Sequence, residues 1–269
     1  MSATASSSPM GAAIPGIVAV NTFREAIRDR ILYNLIFFAL VMIAAAVLVG
    51  QISIGIERIV IINLGLSAIS VFGLVMAIFI GVGLVYKEME KRTLYSLLAK
   101  PVRRWEFLAG KYAGLLLTLA ANTSLMLLGL GAALLYVSRH FERADLSILV
   151  AAYFILLELA LVTALALFFS CFSSPMLSAL FTLGIYIVGV FAQDIRNIGL
   201  VTKNPALISA TRTLYYLLPN FHNFNAIAAA AHGETIPGSL VAQNSLYTLL
   251  YVSLVLVAAA AIFSRRNLK

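Results

Sequence analysis

Long apolar runs, uncharged or nearly so and separated by short clusters of charge, set the rhythm of this chain. Six of them run approximately over Ile31–Gly50, Ile59–Tyr86, Tyr112–Ser138, Leu146–Phe172, Met176–Gln193 and Asn244–Ser264. A helix needs about 20 apolar residues to cross roughly 30 Å of hydrocarbon. Each run therefore predicts a transmembrane helix, the fifth being the shortest. The second spans about 28 residues, or roughly 42 Å at 1.5 Å per residue. It must tilt or project beyond the bilayer. The pattern predicts an all-α integral membrane protein with six transmembrane helices.

Ahead of the first run, Ile17, Val20, Phe23, Ile27 and Ile31 recur at spacings of three and four, with Asn21, Arg24, Glu25, Arg28 and Asp29 between them. This is the period of an N-terminal amphipathic helix lying at the membrane interface. A plain basic flank of the first span is the alternative. Residues 1–15 are uncharged and rich in Ser, Ala and Thr, and read as a disordered tail. The connections are unequal. Arg139–Asp145 predicts a tight helical hairpin and Ser173–Ser174–Pro175 a minimal turn. Residues 194–243 form a long connection broken by Pro205, Pro219, Gly233, Pro237 and Gly238. Its apolar pieces, Ala206–Leu218 and Phe224–Ala231, are too short to span. They predict external or re-entrant helices before the last span, with ordinary loop packing as the other reading. Residues 16–264 thus form one transmembrane domain, and residues 265–269 a C-terminal tail.

Composition sharpens the class. Hydrophobic residues make up 62% and charged residues 11%, against roughly 45–50% and about 25% in soluble domains. Only a bilayer can take up that much apolar surface. The net charge of +8 could suggest a nucleic-acid partner, but its distribution argues against one. Placing the N-terminus inside the cell puts three Lys/Arg before the first span, seven in the link between spans two and three, and three at the C-terminus on the cytoplasmic side. The other six of the 19 (Arg58, Arg139, Arg143, Arg196, Lys203 and Arg212) fall outside. The positive-inside rule then predicts cytoplasmic termini in a bacterial-type plasma (inner) membrane. The single cysteine, Cys171, excludes an intrachain disulfide and reads as a small buried hydrophobe. His140, His222 and His232 have no metal-ligand spacing, so neither metal nor cofactor is expected in this chain.

The densest charge cluster is the link over residues 87–111. In it Leu94, Leu97, Leu98 and Pro101 share one helical face, and Glu88 and Arg92 lie four apart, a pairing worth about 0.2–0.5 kcal/mol. Pro101, Trp105, Leu108 and Tyr112 form a second apolar stripe. Two short amphipathic helices meeting at Pro101 would project a charged corner suited to docking on a partner. A solvated flank that only sets topology is the blander reading.

The motif Glu88-x-Glu90-x-Arg92-Thr93-Leu94-x-x-Leu97-Leu98, then Lys100-Pro101-Val102-Arg103-Arg104 and Gly110-Lys111, resembles the cytoplasmic coupling segment of ABC-2 type ABC transporter permeases. The subgroup around multicopper-enzyme maturation is the most similar in character. Leu218-Pro219-Asn220-Phe221 and the N-terminal amphipathic helix are also similar to the family. The resemblance implies a permease subunit, an exporter by the family's leaning, with a separate ABC ATPase subunit and a second permease copy as partners. It implies that Glu88, Glu90, Arg92, Leu94, Leu97, Leu98, Pro101, Arg103, Arg104, Trp105 and Glu106 couple to the ATPase. ATP and Mg would then sit on that partner. No Gly-x-x-x-x-Gly-Lys-Ser/Thr occurs here, since Tyr112 follows Gly110-Lys111. Copper is not carried over, because the chain has no Met-x-x-Met, Cys-x-x-Cys or His cluster.

Within the apolar runs Glu158 stands out. An ionised carboxylate at mid-bilayer costs about 2.5–3.5 kcal/mol on insertion scales. It is expected to face protein, opposite Asn122, Thr123 and Met126. Two roles stay open, a substrate-path group and a packing hydrogen bond. A different function class, a secondary transporter or channel driven by an ion gradient through Glu158, also stays open. Gly110-x-x-x-Gly114 predicts close helix packing.

Overall fold

The computed structural model describes residues 10–27, 30–53, 55–90, 104–139, 145–201 and 205–265. Ten α-helices carry these residues, and no strand occurs among them. They are α1 (Met10–Ile27), α2 (Arg30–Ile52), α3 (Glu57–Glu90), α4 (Arg104–Ser138), α5 (Leu146–Ser170), α6 (Pro175–Val190), α7 (Ala192–Val201), α8 (Pro205–Leu217), α9 (Ile227–Ala231) and α10 (Gly238–Arg265). A 3-10 turn, Phe221–Phe224, precedes α9.

The expected apolar segments coincide with α2, α3, α4, α5, α6 and α10. Of these, α3, α4, α5 and α10 are each long and apolar enough to cross a membrane. The fifth segment departs from expectation. It is a helix of 16 residues that bends by 56° into α7, and the pair together makes one broken span or a re-entrant loop. The sequence period continues across Phe191, so the bend is not visible in the pattern. The bend falls two residues after Gly189, which lies against the backbone of Pro219 and the ring of Phe221. The long second segment becomes a helix of 34 residues, roughly 51 Å at 1.5 Å per residue.

α5 is the hub. Its apolar residues surround the whole helix, the pattern of a helix buried on every side, and 72% of its apolar window is buried. α3, α4, α6 and α10 pack around it. α3 approaches closely through glycines eight residues apart on one face. A Cβ on Gly73 would meet Leu159 at 2.7 Å, one on Gly81 would meet Ala166 at 2.8 Å, and Gly65 fits against Leu130 of α4. Without a hydrophobic drive between helices in lipid, such close backbone contact is what holds spans together.

The hairpins close as the short connections require. Gly55 turns the chain between α2 and α3 at φ +86°, a conformation that favours glycine, and its N–H donates to the Glu57 carboxylate at 3.0 Å. α5 ends at Ser170, and Pro175 opens α6 in the first-turn position that proline tolerates. Arg58 at the start of α3, Ser138 at the end of α4 and Asp145 before α5 meet at one end of the bundle. At the other end Leu108, Cys171 and Ala259 are buried together, joining the start of α4, the end of α5 and the end of α10. α1 packs against the start of α4, so the N-terminal helix and the C-terminal end of α10 share that second end. The Cys171 thiol donates to the Leu167 carbonyl at 3.2 Å, in keeping with a small buried side chain.

Three expectations are corrected. α1 begins at Met10, within the stretch read as a tail, and passes through Pro15; residues 1–9 lie outside the described residues. Arg104–Lys111 is not a separate short helix but the first two turns of α4. No proline lies between Arg104 and Tyr112 to break the helix, and the single Gly110 weakens it by only about 1 kcal/mol. The long connection holds a further helix, α7, which its mixed polar composition concealed.

Candidate functional site

Two places in this fold gather the residues that the sequence singles out. The first is the root of the charged link. Glu88 and Glu90 lie in the last turn of α3, and Arg104 opens α4. Arg92, Leu94, Leu97, Leu98, Pro101 and Arg103 lie outside the described residues. Trp105 is 53% exposed at the tip of α4, while Glu106 beside it is buried. Helical geometry explains the difference, since adjacent residues point about 100° apart. Glu106 is therefore turned into the protein where Trp105 is turned out. Leu108 and Tyr112 of the predicted stripe also pack inward. Leu108 joins Cys171 and Ala259, and the Tyr112 hydroxyl donates to the Ala160 carbonyl at 3.2 Å.

The Gly-Lys pair acquires a physical role here. A Cβ on Gly110 would lie 2.7 Å from the Val18 Cβ and 2.8 Å from the Pro15 carbonyl oxygen. One on Gly114 would lie 2.5 Å from the Ala19 carbonyl oxygen. The small-residue spacing therefore seats α1 directly on α4. Lys111, buried between them, lies 3.8 Å from the Glu25 carboxylate and 5.7 Å from the Phe107 ring centroid. α1 turns Ala19, Thr22 and Ala26 inward and leaves Ile17 and Val20 exposed. Ile17 and Val20 of the predicted apolar stripe thus face away from the bundle, where lipid can cover them, and a separate small-residue face makes the contact.

The second place is deep in the bundle. Glu158 is buried on α5. Its polar partner is the Tyr186 hydroxyl of α6, which also interacts with Ser70 of α3. Asn122, Thr123 and Met126 are all buried, as expected of residues facing the interior, but Asn122 donates to the Met76 sulfur at 3.7 Å. The Tyr186 ring packs against Phe221, centroids 5.1 Å apart. Leu218-Pro219-Asn220-Phe221 is thereby a wedge: Pro219, Asn220 and Phe221 are buried. The Asn220 N–H donates to the Tyr247 hydroxyl (3.0 Å), its amide donates to the Tyr215 hydroxyl (3.2 Å), and its side-chain oxygen accepts from the His222 N–H (3.2 Å). Sequence reasoning missed Tyr186. The available signal was a hydroxyl-bearing ring inside an otherwise apolar run, which needs a polar partner when buried.

Because Glu158 and Tyr186 satisfy one another, Glu158→Gln is expected to leave thermal stability in detergent near that of the parent. Glu158→Leu removes the polar partner of the half-buried Tyr186 hydroxyl and should cost about 1–3 kcal/mol. A Gln variant that unfolds as early as the Leu variant would show that the charge, not the hydrogen bond, is what the fold uses.

A bundle of long apolar helices, with a charged link between two of them and an amphipathic helix seated at its root, defines a multi-pass membrane protein. The family model described as ABC-2 family transporter protein matches residues 17–268. The chain belongs to this family of membrane transport components. No curated protein matches it detectably.

Proposed function

We propose that the chain is the permease subunit of an ATP-driven exporter, coupled to a separate ATPase chain through residues 88–111 and working with a second permease copy. ATP and Mg would be held by the ATPase. Both termini would lie in the cytoplasm of a cell with a bacterial-type inner membrane. The observation that carries the reading is the root of the link. α3 continues as one helix to Glu90, past the apolar run that ends at Tyr86, and α4 returns with Trp105 exposed and Lys111 tied to α1. A partner that moves this link would therefore move α1 and two central helices as rigid bodies, the kind of switching by which hydrolysis in one protein does work in another.

The test is association with the ATPase in mild detergent. Exposed aromatic and Arg side chains often become interface hot spots worth 2 kcal/mol or more. The Trp105→Ala, Arg104→Glu double variant is therefore expected to weaken binding by roughly 30-fold or more, with insertion unchanged. Arg139→Glu, at the opposite end of the bundle, should bind as the parent does. Unaltered ATPase binding by the double variant would leave the segment as a flank that only sets topology. Because an ATPase with access to ATP is cytoplasmic, binding through this link would also place both termini inside.

A further inference from the structure

The α4–α5 hairpin is closed at one end and open at the other. Near its root Leu115 packs on Leu167, and the Tyr112 hydroxyl reaches the Ala160 carbonyl. Toward the Arg58 end the helices leave a lateral groove of about 670 Å³, within the roughly 300–1,000 Å³ typical of small-molecule sites. Buried Leu134 and Ile148 form its floor, while Leu128 and Leu149 stand exposed at its sides. The groove stays open because α4 places Gly131 there. A Cβ on that residue would meet nothing within 4 Å. Among the described residues lining the groove, Asp145 alone carries a charge. Its carboxylate pairs with Arg58, whose Nη1 donates to the Ser138 hydroxyl at 3.3 Å. The Asp145 side chain keeps 12% exposure.

We propose that this groove binds a phospholipid with an ammonium head, of the phosphatidylethanolamine kind, independently of any ATPase coupling. The apolar trough takes an acyl chain. The mouth matches the head, because an ionised carboxylate offers about four acceptor directions, so Asp145 can accept from an ammonium alongside the partners it already holds. The Arg58 guanidinium beside it suits the lipid phosphate. A glycerol head would bring the same phosphate to the Asp145 carboxylate without a donor cation, so the site discriminates by headgroup.

The full chain in a neutral maltoside detergent can be titrated with phosphatidylethanolamine or phosphatidylglycerol of matched chains and bound lipid counted by native mass spectrometry. One ethanolamine lipid per chain is expected, favoured roughly tenfold or more over the glycerol lipid, the scale of a hydrogen bond to a charged group. Gly131→Phe fills open space without touching the ion pair. It should lower that binding at least as far while leaving thermal stability unchanged. Asp145→Asn should abolish the headgroup preference and retain tail binding; if it fails to fold, Gly131→Phe carries the test. Equal affinity for both lipids, or full lipid binding by Gly131→Phe, would overturn the proposal. So would conversion of a dimer to a monomer by Gly131→Phe at unchanged lipid count, which would make the groove a contact between copies of the chain.

Discussion

With leucine in place of Gly114, α1 is expected to lift off α4. The Cβ alone would sit 2.5 Å from the Ala19 carbonyl oxygen and 2.6 Å from the Thr22 Cβ. A backbone carbonyl in a helix cannot rotate out of the way, so the whole helix has to move. Overpacking of this kind costs about 1–3 kcal/mol, and among the described residues the α1–α4 contact is the main one that α1 makes. Thr22 is 1% exposed beneath the crossing. A cysteine at position 22, in a Cys171→Ala background, should become labelled by a thiol reagent roughly tenfold faster or more when Gly114→Leu is added, the factor that 1.4 kcal/mol of opening supplies. Gly114→Ala should fall between. Equal labelling rates with and without leucine would mean that α1 is held by something other than this crossing. The same displacement breaks the approach of Glu25 to Lys111, so under the proposed coupling, transport should fall with the labelling change.

Phe221→Ala should destabilise the bundle more than any exposed truncation. Phe221 is 2% exposed and fills the space between the Tyr186 ring and Gly189. Large-to-small aromatic substitutions in packed cores cost about 3–5 kcal/mol, because the cavity closes only in part. Here the loss also releases Tyr186, and with it the group that meets Glu158. Thermal unfolding in detergent should occur well below the parent temperature. Gly189→Leu should do the same by expelling the Pro219 backbone from its seat. Phe191→Ala is the matched control, since Phe191 is 53% exposed. If both phenylalanine variants lower the unfolding temperature equally, the wedge is not part of the core.

Glu158 illustrates how far a sequence reaches. One acid in a long apolar run had to find a polar partner or stay uncharged, and its burial followed from that alone. Its partner did not. Tyr186 lies 28 positions away on a helix whose turn toward α5 depends on where Phe221 lands, and Phe221 belongs to a connection with no strong period. The charged link shows the opposite limit. The motif and its Gly-Lys ending were plain in the residues, yet Lys111 faces Glu25 only because two glycines let α1 come within backbone contact.

What the residues determined by themselves is the class: helices long and apolar enough to require a bilayer, the short hairpins between them, and one densely charged link. These follow from local, one-dimensional quantities, namely run length, period and charge placement. Tertiary structure decided the bend of 56° after α6, the seating of α1, the Glu158–Tyr186–Phe221 stack, and the open groove beside Asp145. Each of these is set by the shape that two helices leave between them. In lipid, where apolar surface gains little by choosing one apolar neighbour over another, that shape is governed by single glycines and a few polar contacts brought together from distant parts of the chain.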